Sequence, residues 1–366
     1  MSLTGTAFFW MTIGLVVAAL AGLVVGWNRV PGPLPVRVVA RAVMAMACQA
    51  TAVLTVLVWV NNTYGLYDSW TDLLGGGNGQ VHLATGRRGP QVAGGAVAAD
   101  VRRVRFTPLQ NGVLRTTVTG PRSHITGEVD VWLPPQYYEP AYRRTAFPVV
   151  ELLPGYPGTP RAWFGAMGVQ RELTALIRAH QVRPMILVAP KMNVLGNVDP
   201  GCADLPHGSR TSTWLGVDVP EAVKQNFRVA PDAAHWAVMG YSAGAYCAVN
   251  LVLHHPHTLH AAVSLSGYNA PVAQLVTRHP ALARANNPYL ELRDAKRQPG
   301  IALLMAGSEQ DGNTVYAARA LLSELRDPEA SRLLTLTRGG HNTRVWRAML
   351  PTALRWIAGQ MPPAVP

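Results

Sequence analysis

The sequence predicts an α/β architecture, a mostly parallel sheet with helices on both faces, preceded by an N-terminal two-helix transmembrane hairpin. Two long uncharged apolar runs open the chain, apolar strands alternate with helical segments from Val113 onward, and a Gly-x-Ser-x-Gly pentapeptide joins one strand to one helix. Of the 366 residues 49% are apolar and only 14% charged, well below the roughly 25% usual for soluble domains. That balance argues against a purely soluble protein, and the abundance of core-forming residues excludes disorder. Three cysteines are too few for a disulfide-dense scaffold or a four-cysteine zinc site.

The anchor comes first, as residues 1–60, with helices expected over 7–27 and 42–60. Each run approaches the ~20 residues needed to cross a bilayer as a helix. A signal peptide would need a basic leading region and a small-residue cleavage site, and neither is evident. The connector between the runs carries Arg29, Arg37 and Arg41 and no acid, so it is expected to stay in the cytoplasm. Everything after Asn61 then lies on the extracytoplasmic side. Trp10, Trp27 and Trp59 stand near the ends of the spans, where indoles favour the interface.

Residues 61–112 read as a Gly/Arg-rich linker. Between Arg87 and Arg115 arginines cluster around a single acid, Asp100, which fits a solvated basic face or attraction to anionic lipid head groups. No recognition helix or aromatic–basic signature accompanies this charge, so nucleic acid is not an expected partner.

Residues 113–366 form the catalytic candidate. Residues 113–118 and 125–133 suggest an opening antiparallel hairpin or meander. Short apolar runs at 149–153, 185–189, 236–240, 261–265, 301–306 and 333–337 read as buried strands, with helices over 170–180, 243–255 and 314–326. Strands without polar alternation, separated by helical segments, imply a parallel sheet covered on both faces.

Gly240-Tyr241-Ser242-Ala243-Gly244 follows a strand and opens a helix. A strand reversing this sharply exposes the serine at the sheet's carboxyl edge, and the flanking glycines remove side chains that would clash. Ser242 is the expected nucleophile, beside a helix N-terminus that favours a developing anion. A serine hydroxyl needs a base, and in this arrangement acid and histidine follow the serine in that order. His254, His255, His257 and His260 cluster at the far end of the elbow helix, and His279 follows no strand. His341, in Gly339-Gly340-His341-Asn342 after the last strand, is the expected base. Asp311, beside Gly312 in a turn after a strand, is the preferred acid, with Glu309 the alternative. The backbone N–H groups of Ala243 and of Tyr156, in Pro154-Gly155-Tyr156-Pro157-Gly158, are the expected oxyanion donors.

On the Leu152–Gly158 loop with Trp163, the serine elbow and its following helix, and Gly340-His341-Asn342 with Trp346, the C-terminal region resembles the esterase family that includes esterase D and the actinobacterial mycolyltransferases. The resemblance spans roughly residues 113–357 and implies an α/β-hydrolase fold and an acyl-enzyme on the elbow serine. Water or a sugar hydroxyl then receives the acyl group. Pro154 stands where some esterase D relatives have histidine and mycolyltransferases have an acid, so trehalose binding is not carried over.

The expectation is a membrane-tethered extracytoplasmic serine esterase acting on envelope lipid or cell-wall esters, needing neither cofactor nor metal. An acyltransferase of the mycolyltransferase type is the alternative, and a catalytically silent envelope-binding module the third reading. Trp163, Tyr268 and Trp346 stand as candidates either for a substrate pocket or for ordinary core. Outside the cytoplasm Cys202 and Cys247 are free to bridge, fixing the loop over residues 191–212, or Cys247 is a buried thiol.

Overall fold

The computed structural model describes residues 6–64, 104–196 and 198–364. Most of the expected linker, and the basic stretch up to Arg103, lie outside the described residues.

In the N-terminal unit, α1 (Thr6–Gly26) and α2 (Leu34–Tyr64) pack on each other, with Phe8 near the start of one touching Val58 near the end of the other. Their apolar spans, Ala7–Gly26 and Leu34–Asn62, have mean hydropathies of 2.4 and 2.0, and both are long and apolar enough to cross a membrane. Leu15, Val24, Val39 and Leu57 are exposed along them. The second helix begins earlier than expected, so Arg37 and Arg41 are helical rather than in the connector. Arginine is a good helix former, and Pro35 supplies a preset φ in the first turn. Arg41 Nε donates to the Trp27 carbonyl at 3.0 Å and its guanidinium lies 5.0 Å from the Trp27 ring centroid. A carbonyl at the end of α1 thus gains a partner within the hairpin.

The second unit is built on one nine-stranded sheet in the order β1-β2-β3-β5-β4-β6-β7-β8-β9. The first three strands, β1 (Thr107–Pro108), β2 (Val113–Thr119) and β3 (Thr126–Trp132), form an antiparallel meander, and β3 pairs antiparallel with β5 (Ile186–Pro190). The remainder is parallel: β4 (Val149–Leu153), β6 (Trp236–Tyr241), β7 (Ala261–Leu265), β8 (Ala302–Ser308) and β9 (Arg332–Leu336). β1, ahead of residue 113, adds an edge to the meander and is too short to leave a hydrophobic pattern in the sequence.

Adjacent residues of each central strand enter two separate cores. Val149 and Leu153, with Val188, Val238 and Leu303, pack beneath α4 (Val219–Asn226), α5 (Ala243–His254) and α6 (Thr314–Leu322). Val150 and Leu152, with Leu187, Met239 and Leu304, pack beneath α3 (Val169–Arg178) and α7 (Thr343–Gln360). Burial on both faces is why these strands read as unbroken apolar runs. The sheet order reverses at β4, which has β5 on one side and β6 on the other. The crevice beyond the carboxyl ends of β4 and β6 is the place where this class of sheet binds ligands.

Cys202 and Cys247 are joined by a disulfide, with Cα atoms 5.5 Å apart and a sequence separation of 45. It ties the long loop after β5 to α5. Replacing both cysteines by serine should lower unfolding stability by about 2–4 kcal/mol, because the denatured chain regains the closed loop's freedom. Denaturant unfolding of the full chain checks this, and an unchanged midpoint in the double variant would count against any stabilising role for the bridge.

Candidate active site

The elbow geometry follows from a close approach of backbones. A Cβ on Gly240 would lie 1.9 Å from the Gly244 carbonyl oxygen, and one on Gly244 would lie 2.2 Å from the Leu153 carbonyl oxygen. Only glycine allows the first turn of α5 to sit this tightly on the ends of β6 and β4. Ser242 is left with φ 56° and ψ −122°, a strained conformation for a side-chain-bearing residue. Its N–H donates to Leu265 O at 3.0 Å and its carbonyl accepts from Ala245 at 3.0 Å, so the strain is held from both sides.

His341 Nε2 lies 2.8 Å from Ser242 Oγ. On the other side of the ring, Nδ1 is 3.1 Å from each carboxylate oxygen of Asp311. A carboxylate can only accept, so Nδ1 carries the proton and Nε2 is left to accept from the serine hydroxyl. Burial of Asp311 disfavours its charge, but the hydrogen bond from His341 and the neighbouring Ser266 hydroxyl outweigh this and hold the carboxyl below its ordinary range. Asp311 is only 6% exposed whereas the His341 side chain is 40% exposed, so the acid is sealed in and the imidazole faces the mouth of the site.

Of the two acids proposed from sequence, only Asp311 meets the imidazole. The turn closed by Asp311 N–H to Ser308 O at 3.0 Å folds its carboxylate inward, while Glu309 is exposed. The histidine loop is held by a contact that sequence gave no sign of. Gly339, at φ 110°, donates its N–H to Gln310 Oε1 at 3.0 Å, next to the acid itself.

The expected oxyanion donors belong to segments that follow β6 and β4. Ala243 opens α5, where N–H groups have no intrahelical acceptor. Tyr156 lies in the loop after β4, where a Cβ on Gly155 would stand 3.2 Å from Ser242 Cβ. That contact sets the loop directly against the nucleophile.

The three aromatic candidates separate. Tyr268 lines a narrow cavity beside Ala243, together with Met192, Asp199, Tyr246 and Val272. Its ring stacks on Tyr246 at 5.0 Å. Trp163 and Trp346 are buried in the core instead, both against Tyr241, with centroids 5.2 and 4.5 Å away. The edge-on contact of His341 with Trp346 at 5.0 Å makes this stack a wall behind the imidazole rather than a pocket lining. Tyr241 faces the same side of the sheet as Met239, which carries it into the core that holds both indoles.

At the far end of α5, His254 pairs with Glu291 at 2.6 Å and His255 with Ser212 at 2.9 Å. Among the described residues no group of three His, Cys, Asp or Glu side chains is placed to hold a metal ion.

The Esterase family, whose description is "Putative esterase", matches residues 126–357. The chain is 27% identical over 241 residues to an uncharacterized protein of Corynebacterium glutamicum, a match covering 62% of this chain and 56% of that protein. Less than two thirds of that relative's length is thus spanned. Among solved structures, a ferulic acid esterase superposes with a TM-score of 0.59 at 19% identity, over 68% of this chain and 98% of that one. An S-formylglutathione hydrolase from Agrobacterium tumefaciens gives a TM-score of 0.58 at 16% identity, over 70% and 99%. These likenesses show the α/β-hydrolase fold, and the family match, which takes in serine, acid and histidine alike, shows that the chain belongs to the Esterase family.

Proposed function

We propose that this chain is a membrane-tethered, extracytoplasmic serine esterase that cleaves carboxylic esters of envelope lipids or cell-wall components through an acyl-enzyme on Ser242. The observation that carries the reading is the unbroken hydrogen-bond line from Ser242 Oγ through the His341 ring to Asp311, 2.8 Å on one side and 3.1 Å on the other.

Ser242 Oγ attacks the ester carbonyl carbon while its proton passes to His341 Nε2. The carbonyl oxygen becomes an oxyanion, held by the N–H groups of Ala243 and Tyr156. Collapse of this intermediate expels the alcohol, which takes the proton from His341, and leaves the acyl group on Ser242. Water then gives a proton to His341 and attacks the acyl carbonyl. The second collapse returns the proton to Ser242 and releases the carboxylic acid. Asp311 keeps the imidazole in the required tautomer and stabilises its protonated form.

Location is supported by three independent features. The N-terminal helices are apolar enough to span a bilayer, and Arg29 in the connector with Arg37 and Arg41 in the first turns of α2 favours a cytoplasmic turn. The Cys202–Cys247 disulfide suits an oxidising compartment. Tethering would confine the site to the membrane surface and raise the effective concentration of esters embedded there.

A fluorophosphonate probe should label the full-length protein covalently, and Ser242→Ala should abolish the label while leaving the unfolding transition in place. A folded wild type that resists labelling would mean that the serine is not activated, and the binding-module reading would replace this one. Asp311→Asn should retain the fold yet lower kcat by about 10²–10⁴ through the wrong tautomer, with little change in KM; activity within a fewfold of wild type would remove Asp311 from the mechanism. In intact cells, a C-terminal tag should react with a membrane-impermeant reagent, and protection until the cells are lysed would contradict the proposed topology.

A further inference from the structure

The loop that supplies Tyr156 is fastened by a side chain from the neighbouring strand. Asn193 lies just past β5 (Ile186–Pro190) and is buried, with 5% of its surface exposed. Its Nδ2 donates to the Gly158 carbonyl at 2.6 Å and to the Gly155 carbonyl at 3.3 Å. Gly155 O also accepts the Gly158 N–H at 2.8 Å, which closes the turn on itself. Both amide hydrogens are therefore spent on this one loop. Asn193 Oδ1 is buried without a hydrogen-bond partner among the described residues. Flipping the amide would set that oxygen against two carbonyls, so the donors fix its orientation.

The consequence for the oxyanion site comes from the planarity of the peptide bond. Gly155 C=O and Tyr156 N–H belong to one rigid unit and point in opposite directions. A donor that holds the Gly155 oxygen in place therefore also sets the direction of the Tyr156 N–H. The remainder of the loop is packed against the elbow, since a Cβ on Gly155 would lie 3.1 Å from Tyr241 Cε2 and 3.2 Å from Ser242 Cβ. Packing sets how far the loop stands from Ser242, and the two donors to the Gly155 oxygen, Gly158 N–H at 2.8 Å and Asn193 Nδ2 at 3.3 Å, set the tilt of the Gly155–Tyr156 plane.

Resting on the serine-esterase reading above, we propose that Asn193 is the positioning residue of the oxyanion hole, aligning the Tyr156 N–H by fixing the opposite end of its peptide plane. Asn193 touches neither substrate nor reacting atoms. Its contribution appears only as negative charge develops on the carbonyl oxygen, so it should act on kcat and not on ground-state binding.

The test uses the full chain in detergent micelles with p-nitrophenyl butyrate as substrate and a fluorophosphonate to titrate active sites. Asn193→Ala removes both donors. Asn193→Asp keeps the size but opposes a carboxylate to the two carbonyls. Per titrated site, kcat should fall about 10- to 100-fold in Asn193→Ala and further in Asn193→Asp, below the ~10²–10³ lost when an oxyanion donor is removed outright. KM should stay within about threefold, and affinity for a boronic-acid transition-state analogue should weaken in step with kcat.

Should Asn193→Asp keep kcat per titrated site within about twofold of wild type, the inference falls while the esterase reading stands. It falls equally if the loss appears only as fewer titratable sites and a lower unfolding midpoint, because Asn193 would then serve stability alone. A wild type that neither cleaves the ester nor labels at Ser242 overturns the catalytic reading and this inference together.

Discussion

The site depends on one steric constraint, the contact between the first turn of α5 and the carboxyl end of β4. Gly244 stands where any side chain would strike the Leu153 and Pro154 carbonyls. This forces β6 to reverse without a gap and drives Ser242 into positive φ, so that its hydroxyl projects beyond the sheet edge. The same contact brings the loop following β4 against the nucleophile. Nucleophile, helix N-terminus and oxyanion loop thus derive from a single close approach of backbones. A strained serine of this kind costs of order 1–3 kcal/mol and persists because the surrounding sheet determines its position on both sides.

The distal partners are delivered by the same sheet. β8 ends one strand beyond β7 and carries Asp311, while β9 ends beside it and leads to His341. The two loops are joined by the bond from His341 to Asp311 and by Gln310, which accepts the Gly339 N–H. At the base of the imidazole, Trp346 packs edge-on and passes the support to Tyr241, the residue immediately before the nucleophile. Base and nucleophile are therefore braced on one aromatic stack as well as hydrogen-bonded to each other. Trp163, downstream of the oxyanion loop, meets the Tyr241 ring at a tilt, with centroids 5.2 Å apart.

Much of this was legible from local pattern. The buried strands were readable because burial on both faces writes an unbroken apolar run, and β4 and β7 coincide with the expected limits. The elbow was readable because its glycines are a steric necessity and leave a fixed spacing. Gly312 beside Asp311 signals a turn able to aim a short carboxylate, which favours Asp311, but the inward fold that leaves Glu309 outside is set only by the Asp311 N–H to Ser308 O bond, so Glu309 stays an alternative in sequence. Asn193 and Gln310 were invisible for a different reason: each is a lone polar residue in a loop, and its meaning lies in a backbone group reached only after the strands are paired. Trp163 and Trp346 were ambiguous because an indole near an active site suits a pocket wall and a core equally, and only the side of the sheet occupied by Tyr241 decides.

One buried group remains outside this scheme and shows how far the fold tolerates polarity at its centre. Glu151, the middle residue of β4, is fully buried, both carboxyl oxygens lack a partner among the described residues, and burial raises its pKa well above the usual carboxylate value. It pairs in register with Val188 on one side and Val238 on the other, so its neighbours along the sheet are apolar. An ionised carboxylate there would be prohibitively unfavourable, whereas the protonated acid behaves as a polar residue of moderate cost. Asp311 shows the opposite balance at the catalytic edge, where burial is outweighed by a hydrogen bond from imidazole and the charge is kept. Burial alone therefore does not select the working acid in this domain. A donor aimed at the carboxylate does, and among the acids after Ser242 the imidazole of His341 reaches only Asp311.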